Sequence, residues 1–262
     1  MTTPADHPDF ATVLAARGML PTDPVALFVA GSLIQGWGNP RSDYDIYVVT
    51  RTPWQTDRTV AHPVPLTPDT FHTDVLHEQG RSWEVRYWQA DQIDQILART
   101  AWEGTLETLP PASRLGVDES VLLQRLPHAL AVHGADWVAE RARRAERSAA
   151  RAMFIVKTLD YADGSVDDAV GQLEIGDVHS AVLSARRAFD FAVDALLASH
   201  GHYGESPKWR ARRFRAVRPA ALSFDAYWSV ETMRGYDPAD PAAWVLNTAR
   251  LAKDLLLDTR VY

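Results

Sequence analysis

Two short apolar runs, Leu27-Phe28-Val29-Ala30 and Ile46-Tyr47-Val48-Val49, frame the segment that most restricts how this chain can fold. The first run ends in Gly31-Ser32, ten residues follow, and Asp43-Tyr44-Asp45 leads into the second. Side chains alternate along a strand, so Asp43 and Asp45 share a face. Two carboxylates held side by side repel, and a divalent cation between them relieves that repulsion. A Gly-Ser turn leaving a strand also exposes the free amides of a helix start, where phosphate binds well. Ordinary turn chemistry accounts for Gly36, Gly38, Asn39 and Pro40. It does not account for two acids on one face at the head of a run fit for a sheet interior. Phosphate grip beside metal grip implies metal-assisted phosphoryl or nucleotidyl transfer.

At 262 residues the chain has room for one large domain or two ordinary ones, and 46% hydrophobic with 23% charged residues is a soluble, globular balance. It has no apolar run of about eighteen residues, so no membrane span is expected. The start, Met1-Thr2-Thr3-Pro4-Ala5-Asp6-His7-Pro8, lacks a basic-then-apolar signal, and cytoplasm is the expected compartment. The absence of cysteine removes disulfides, thiolate catalysis and cysteine zinc sites. Residues 1–117 carry 14 Asp and Glu against 8 Lys and Arg, a net of −6, while the remainder carries 20 against 19. So acidic a front half disfavours a nucleic-acid backbone as partner and favours a neutral or cationic one.

The spacing predicts an opening helix around Phe10, Val13 and Leu14, capped by Asp9, and strands over 26–30 and 43–50. Four prolines between 51 and 70 read as loop. Residues 71–77 and 82–88 flank Glu78-Gln79-Gly80-Arg81 and read as a hairpin, followed by a helix over 89–99. The Pro110-Pro111 stretch sets the expected boundary between domains 1–117 and 118–262. Beyond it the strand signal fades. Helical patterning covers 135–163, 178–199, 208–217, 224–233 and 242–257, a bundle. The expected fold is α+β, a small mixed sheet with flanking helices followed by an all-α bundle.

Ala30-Gly31-Ser32, the ten-residue gap and Asp43-Tyr44-Asp45-Ile46 resemble the signature of the DNA polymerase β-like nucleotidyltransferase superfamily. The resemblance implies that Asp43 and Asp45 bridge two Mg2+ ions against a nucleoside triphosphate, with Gly31 and Ser32 at its phosphates. A third acid on a later strand then completes the site. Glu84, in Ser82-Trp83-Glu84-Val85-Arg86-Tyr87-Trp88, is the candidate ligand and base, with Asp74 as competitor. Alternation puts Glu84 with Ser82, Arg86 and Trp88, so a solvent-facing Glu84 paired with Arg86 is the plainer alternative. Ser42 is a candidate nucleotide contact or a turn cap, and Arg41 could do either.

The stretch Gly176–Leu197, followed by Ser206-Pro207-Lys208-Trp209, looks like the helical domain of kanamycin-type and related small-molecule nucleotidyltransferases. That likeness gives Lys208 a triphosphate contact, against a solvated lysine at a helix start. Arg187, Asp190 and Asp194 share a helix face, as acceptor-pocket lining or as a surface salt-bridge ladder. Trp37 or Trp209 could stack on a base. There is no His-Glu-x-x-His, no phosphate-binding Gly-x-x-x-x-Gly-Lys-Ser/Thr and no Gly-x-Ser-x-Gly elbow. The expected activity is Mg2+-dependent transfer of a nucleoside monophosphate to a hydroxyl of a small molecule, such as an aminoglycoside-like antibiotic or a secondary-metabolism intermediate. Partners are the triphosphate and the acceptor, without nucleic acid or membrane, and a homodimer is one option. Two alternatives stand beside it: a protein-modifying antitoxin-type transferase, and a nucleotide- or metabolite-binding protein without turnover.

Overall fold

The computed structural model describes residues 7–102, 115–204 and 206–261. They form two compact units that divide between Ser148 and Ala149. The first unit is built on a six-stranded mixed sheet of β1 (Ala26–Ala30), β2 (Tyr44–Thr50), β3 (Val60–Pro63), β4 (Thr70–Glu78), β5 (Arg81–Gln89) and β6 (Leu130–His133). Its order is β3-β4-β5-β2-β1-β6. β2 and β5 run parallel, and the other neighbours run antiparallel. β1 and β2 are buried along their whole length, as their near-continuous apolar sequences require of central strands. The β4–β5 hairpin closes through Gln79 and Gly80, both at positive φ, the two-residue turn whose twist suits antiparallel strands.

Alternation divides the sheet cleanly. One face presents Leu27, Val29, Tyr44, Ile46, Val48, Trp83, Val85 and Tyr87, and packs on Phe10 and Leu14 of α1 (Phe10–Ala16) and on Met19. Asp9 caps α1, its carboxylate accepting from the Thr12 amide at 3.1 Å. The other face carries two stacked aromatic pairs, Phe28 on Tyr47 at 4.8 Å and Phe71 on Trp88 at 4.3 Å. Helices α2 (Ala90–Arg99), α3 (Val117–Arg125) and α4 (Ala135–Arg147) complete this unit. Ion pairs tie them together: Arg99 to the buried Glu119 at 3.1 Å, and Arg141 and Arg144 to Asp94 at 3.0 and 2.8 Å. Burial raises the Glu119 pKa, against the pull of the Gly116 amide and Arg99.

Three features differ from the sequence expectations. β3 lies in the stretch expected to be loop, and β6 lies beyond the expected last strand. The first unit therefore runs past residue 117 to Ser148, because β6 hydrogen-bonds to β1. Most of the Pro110-Pro111 segment that set the expected boundary lies outside the described residues. The helical stretch over 135–163 is two helices, broken where Ser148 turns extended and its hydroxyl bonds the Ala145 carbonyl at 2.8 Å.

The second unit is all helix: α5 (Ala150–Glu174), α6 (Val178–Ser199), α7 (Arg210–Val217), α8 (Phe224–Glu231) and α9 (Pro241–Asp258). Small buried residues, Ala162 and Ala169 on α5 and Ala181, Ala185, Ala188 and Ala192 on α6, let these long helices approach closely. Phe189, Phe214, Leu222 and Tyr227 fill the core beside them. Asp177, Ser223 and Asp240 cap α6, α8 and α9 by accepting backbone amides three residues on. Among the described residues no helix is long and apolar enough to cross a membrane.

Candidate metal centre

The register of the parallel pair β2–β5 sets Asp45 directly beside Glu84. Neighbouring strands lie about 4.8 Å apart with their side chains in step, so the two carboxylates leave the sheet together. Asp43, two residues before Asp45, falls on the same face. One ligand oxygen from each of the three lies within 4.8 Å of the others. Asp45 is buried, and Asp43 and Glu84 are half-buried. Three hard oxygen donors gathered this closely could hold a divalent cation.

Asp74 is not part of this group. It pairs with Val85 in the β4–β5 ladder and so leaves the opposite face, where Arg58 approaches its carboxylate at 3.5 Å. Of the two candidates for a third acid, the sheet brings only Glu84 to Asp43 and Asp45.

Gly31 ends β1 at φ +87°, and a Cβ built on it would lie 2.2 Å from Oδ2 of Asp45. Glycine is therefore required twice, for its left-handed backbone and for the room it leaves over the carboxylate. The segment that follows is a series of turns rather than a helix. The Gln35 amide bonds the Gly31 carbonyl at 3.1 Å and the Trp37 amide bonds the Ser32 carbonyl at 2.8 Å. The Ser42 hydroxyl accepts from the Asn39 amide at 2.9 Å, which is turn-capping geometry, and the Arg41 amide bonds the Asn39 side chain at 2.8 Å. Arg81 clasps the same loop from the hairpin, donating to the Asn39 and Ser42 carbonyls at 3.0 Å each. These bonds fix the loop that delivers Asp43.

Two arginines complete the centre. Arg86 donates to Oδ1 of Asp45 at 3.0 Å and lies 2.8 Å from Oε1 of Glu84. Arg125, at the end of α3, lies 2.9 Å from the same Oδ1 and donates to the Tyr47 hydroxyl at 2.9 Å. The Arg86 guanidinium sits 5.6 Å from the centre of the Tyr47 ring. Burial works against the charge on both arginines, but Tyr47, Asp45 and, for Arg86, Glu84 outweigh it and raise their pKa values. Burial raises the Tyr47 pKa, against the pull of Arg125 and Arg86. The Glu84–Arg86 pair could be read from alternation along one strand. Arg125 carries no such signal, because nothing in its own helix points to a contact 80 residues upstream.

The remaining candidates lie in the second unit. Lys208 is exposed in the short 3-10 turn Pro207–Trp209, its ammonium 5.4 Å from the centre of the Trp209 ring, which also carries Arg212 at 5.2 Å. Asp190 and Asp194 do not form a ladder with Arg187. Both bind the buried Arg210, at 2.8 Å each, and Arg187 lies over the Phe191 ring instead.

The chain matches no protein-family profile, and no curated protein sequence matches it. Among solved structures it is similar to a nucleotidyltransferase-like protein from Exiguobacterium sibiricum 255-15. The two share 8% sequence identity over 95% of this chain and 73% of that chain, with a TM-score of 0.49. A likeness so low in identity and score leaves any assignment to this chain's own side chains.

Proposed function

We propose that the chain is a metal-dependent nucleotidyltransferase of the DNA polymerase β-like kind, moving a nucleoside monophosphate from a triphosphate to a hydroxyl of a small molecule with release of pyrophosphate. The observation that carries this reading is the convergence of Asp43, Asp45 and Glu84 beside the glycine that ends β1. Asp43 and Asp45 would hold Mg2+, which when bound neutralises phosphate charge and polarises the reacting phosphorus. The Gly31-Ser32 turn, whose glycine lets the backbone pack directly against Asp45, would bring backbone amides close to a triphosphate held there. Glu84, on the far side of Asp45 from β1, would take the proton of the incoming hydroxyl. A kanamycin-type role for the helical unit, with Lys208 at the triphosphate, belongs to this proposal as well.

The arginines favour a second reading. Asp45 is paired with both Arg86 and Arg125, as in a site that binds a nucleotide or metabolite and does not turn it over. Incubating the full chain with labelled nucleoside triphosphates, Mg2+ and a panel of hydroxyl-bearing small molecules separates the readings. A labelled small product supports transfer. Label on protein would point to the protein-modifying alternative, and retained but unreacted triphosphate would point to binding alone.

A further inference from the structure

The Arg86 guanidinium occupies the gap between two of the three carboxylates. One of its nitrogens is 3.0 Å from Oδ1 of Asp45 and the other is 2.8 Å from Oε1 of Glu84. A cation bridging these two oxygens would have to lie in that gap. The arginine is well seated there: its side chain is 12% exposed and backed by the Tyr47 ring, which stacks in turn on Phe28. Arg125 closes the same Oδ1 from the α3 side. The other oxygen of Asp45, Oδ2, is paired with neither arginine and packs beside Gly31, in the place a side chain there would take.

We infer that Arg86 stands where a second cation would otherwise bind, so that the free protein takes a single divalent ion, between Asp43 and Oδ2 of Asp45. This rests on the metal-centre reading above and replaces the pair of ions expected from sequence. Glu84 is then held by an arginine rather than by metal before nucleotide arrives, and its part in the site is that of a proton acceptor beside a one-ion centre.

The test is a titration of the full-length protein with Mn2+ alone, without nucleotide, following the electron paramagnetic resonance signal of the free ion. The wild type should take up one Mn2+ per chain, and Arg86→Met should take up two. Should Arg86→Met fail to fold by circular dichroism, three further variants carry the test. Arg86→Gln removes the positive charge from the gap and should also admit a second ion. Glu84→Gln should leave the one-ion midpoint nearly where it was, whereas Asp43→Asn should weaken it by at least about tenfold. Two Mn2+ per wild-type chain would overturn the inference while leaving the metal centre standing, as would equal loss of affinity in Glu84→Gln and Asp43→Asn. No Mn2+ bound by wild type or by the Arg86 variants would overturn the metal centre itself. One Mn2+ bound without transfer from any triphosphate would leave this inference intact and sink the proposed reaction.

Discussion

Each compact unit holds a cluster of three carboxylates and two arginines, and the two clusters use that shared inventory differently. In the helical unit Arg210 sits at the centre. It takes Asp194 through two bonds, at 2.9 and 2.8 Å, and also reaches Asp190 at 2.8 Å and Glu231 at 3.4 Å. Arg213 adds a longer contact to Asp194 at 3.5 Å and donates to the Gly204 and Ser206 carbonyls. In the sheet unit the carboxylates Asp43, Asp45 and Glu84 gather on one face, with Arg86 reaching Asp45 and Glu84, Arg125 reaching Asp45, and Asp43 outside the arginine pairs. Among the described residues this is the only group of three acids whose oxygens gather closely enough for a metal. The difference comes from the scaffold. Adjacent strands deliver side chains in step on one face, whereas helices from different parts of the bundle surround a central cation. Equal formal charge can therefore make a structural knot or an open ligand set.

The largest expected effect separates function from structure within the sheet cluster. Asp43→Asn should bring nucleotidyl transfer down to background while the melting temperature stays close to wild type, since Asp43 is half-buried and outside the arginine pairs. Asp45→Asn should lose transfer too, but at a cost in stability, because it strips a buried partner from both Arg86 and Arg125. Near wild-type turnover of purified Asp43→Asn protein with Mg2+ would dismiss the site. Removing one partner of a buried pair typically costs about 3–5 kcal/mol. Asp194→Ala should pay a similar penalty in the helical unit, read by urea denaturation, with the Mn2+ isotherm unchanged. If Asp194→Ala instead abolished Mn2+ binding, the separation of the two clusters into one structural and one ligand-binding would fail.

The sheet centre was legible in the sequence because its code has a period of two. Asp43 and Asp45 declare a shared face, and Ser82-Trp83-Glu84-Val85-Arg86 shows which neighbours Glu84 keeps. The register of β5 on β2 brings Glu84 beside Asp45 and that of β4 on β5 turns Asp74 away, and one residue of slip in either would reverse that acid's face. Edge strands β3 and β6 were not legible. Each has four residues, neither is buried, and β3 ends in Pro63. Nor was the end of the first unit, since Arg147-Ser148-Ala149 sits among strong helix formers with neither glycine nor proline to mark it. The arginines of the helical cluster escaped for a different reason. Helical spacing relates Asp190 to Asp194 but says nothing about Arg210, which comes from another helix.

Glu84→Gln sharpens the division of labour inside the sheet cluster. As proton acceptor it should be needed for chemistry and hardly needed for triphosphate binding. Turnover should fall by a factor on the order of 10² or more, with little change in triphosphate affinity. A loss confined to triphosphate binding would place Glu84 with the nucleotide instead. Ser32→Ala should be milder, about 1–3 kcal/mol for one hydrogen bond to a charged phosphate, and expressed in triphosphate use. An effect seen only in the acceptor's KM would show that the turn faces the other substrate.

The smallest effect tests whether the helical cluster is a settled structure. Burial raises the Asp190 pKa to about 6; Glu231 and Asp194 add to the rise, while Arg210 opposes it. The folded protein then holds a proton on Asp190 that the unfolded chain has released, over the window from the ordinary value of 3.8 up to about 6. Stability contributed by this group is therefore full below that window and is lost as pH rises through about 6. Other carboxylates and histidines titrate nearby, so the quantity to measure is the difference in unfolding free energy between wild type and Asp190→Asn. That difference should move against the wild type between pH 4 and pH 6, and stay level from pH 7 to 8. Because the Asp190 side chain is 41% exposed, the shift should be small beside the loss in Asp194→Ala. A difference that moves the opposite way would mean that Arg210 holds Asp190 charged, and that the knot is tied by three ion pairs rather than by two and a proton.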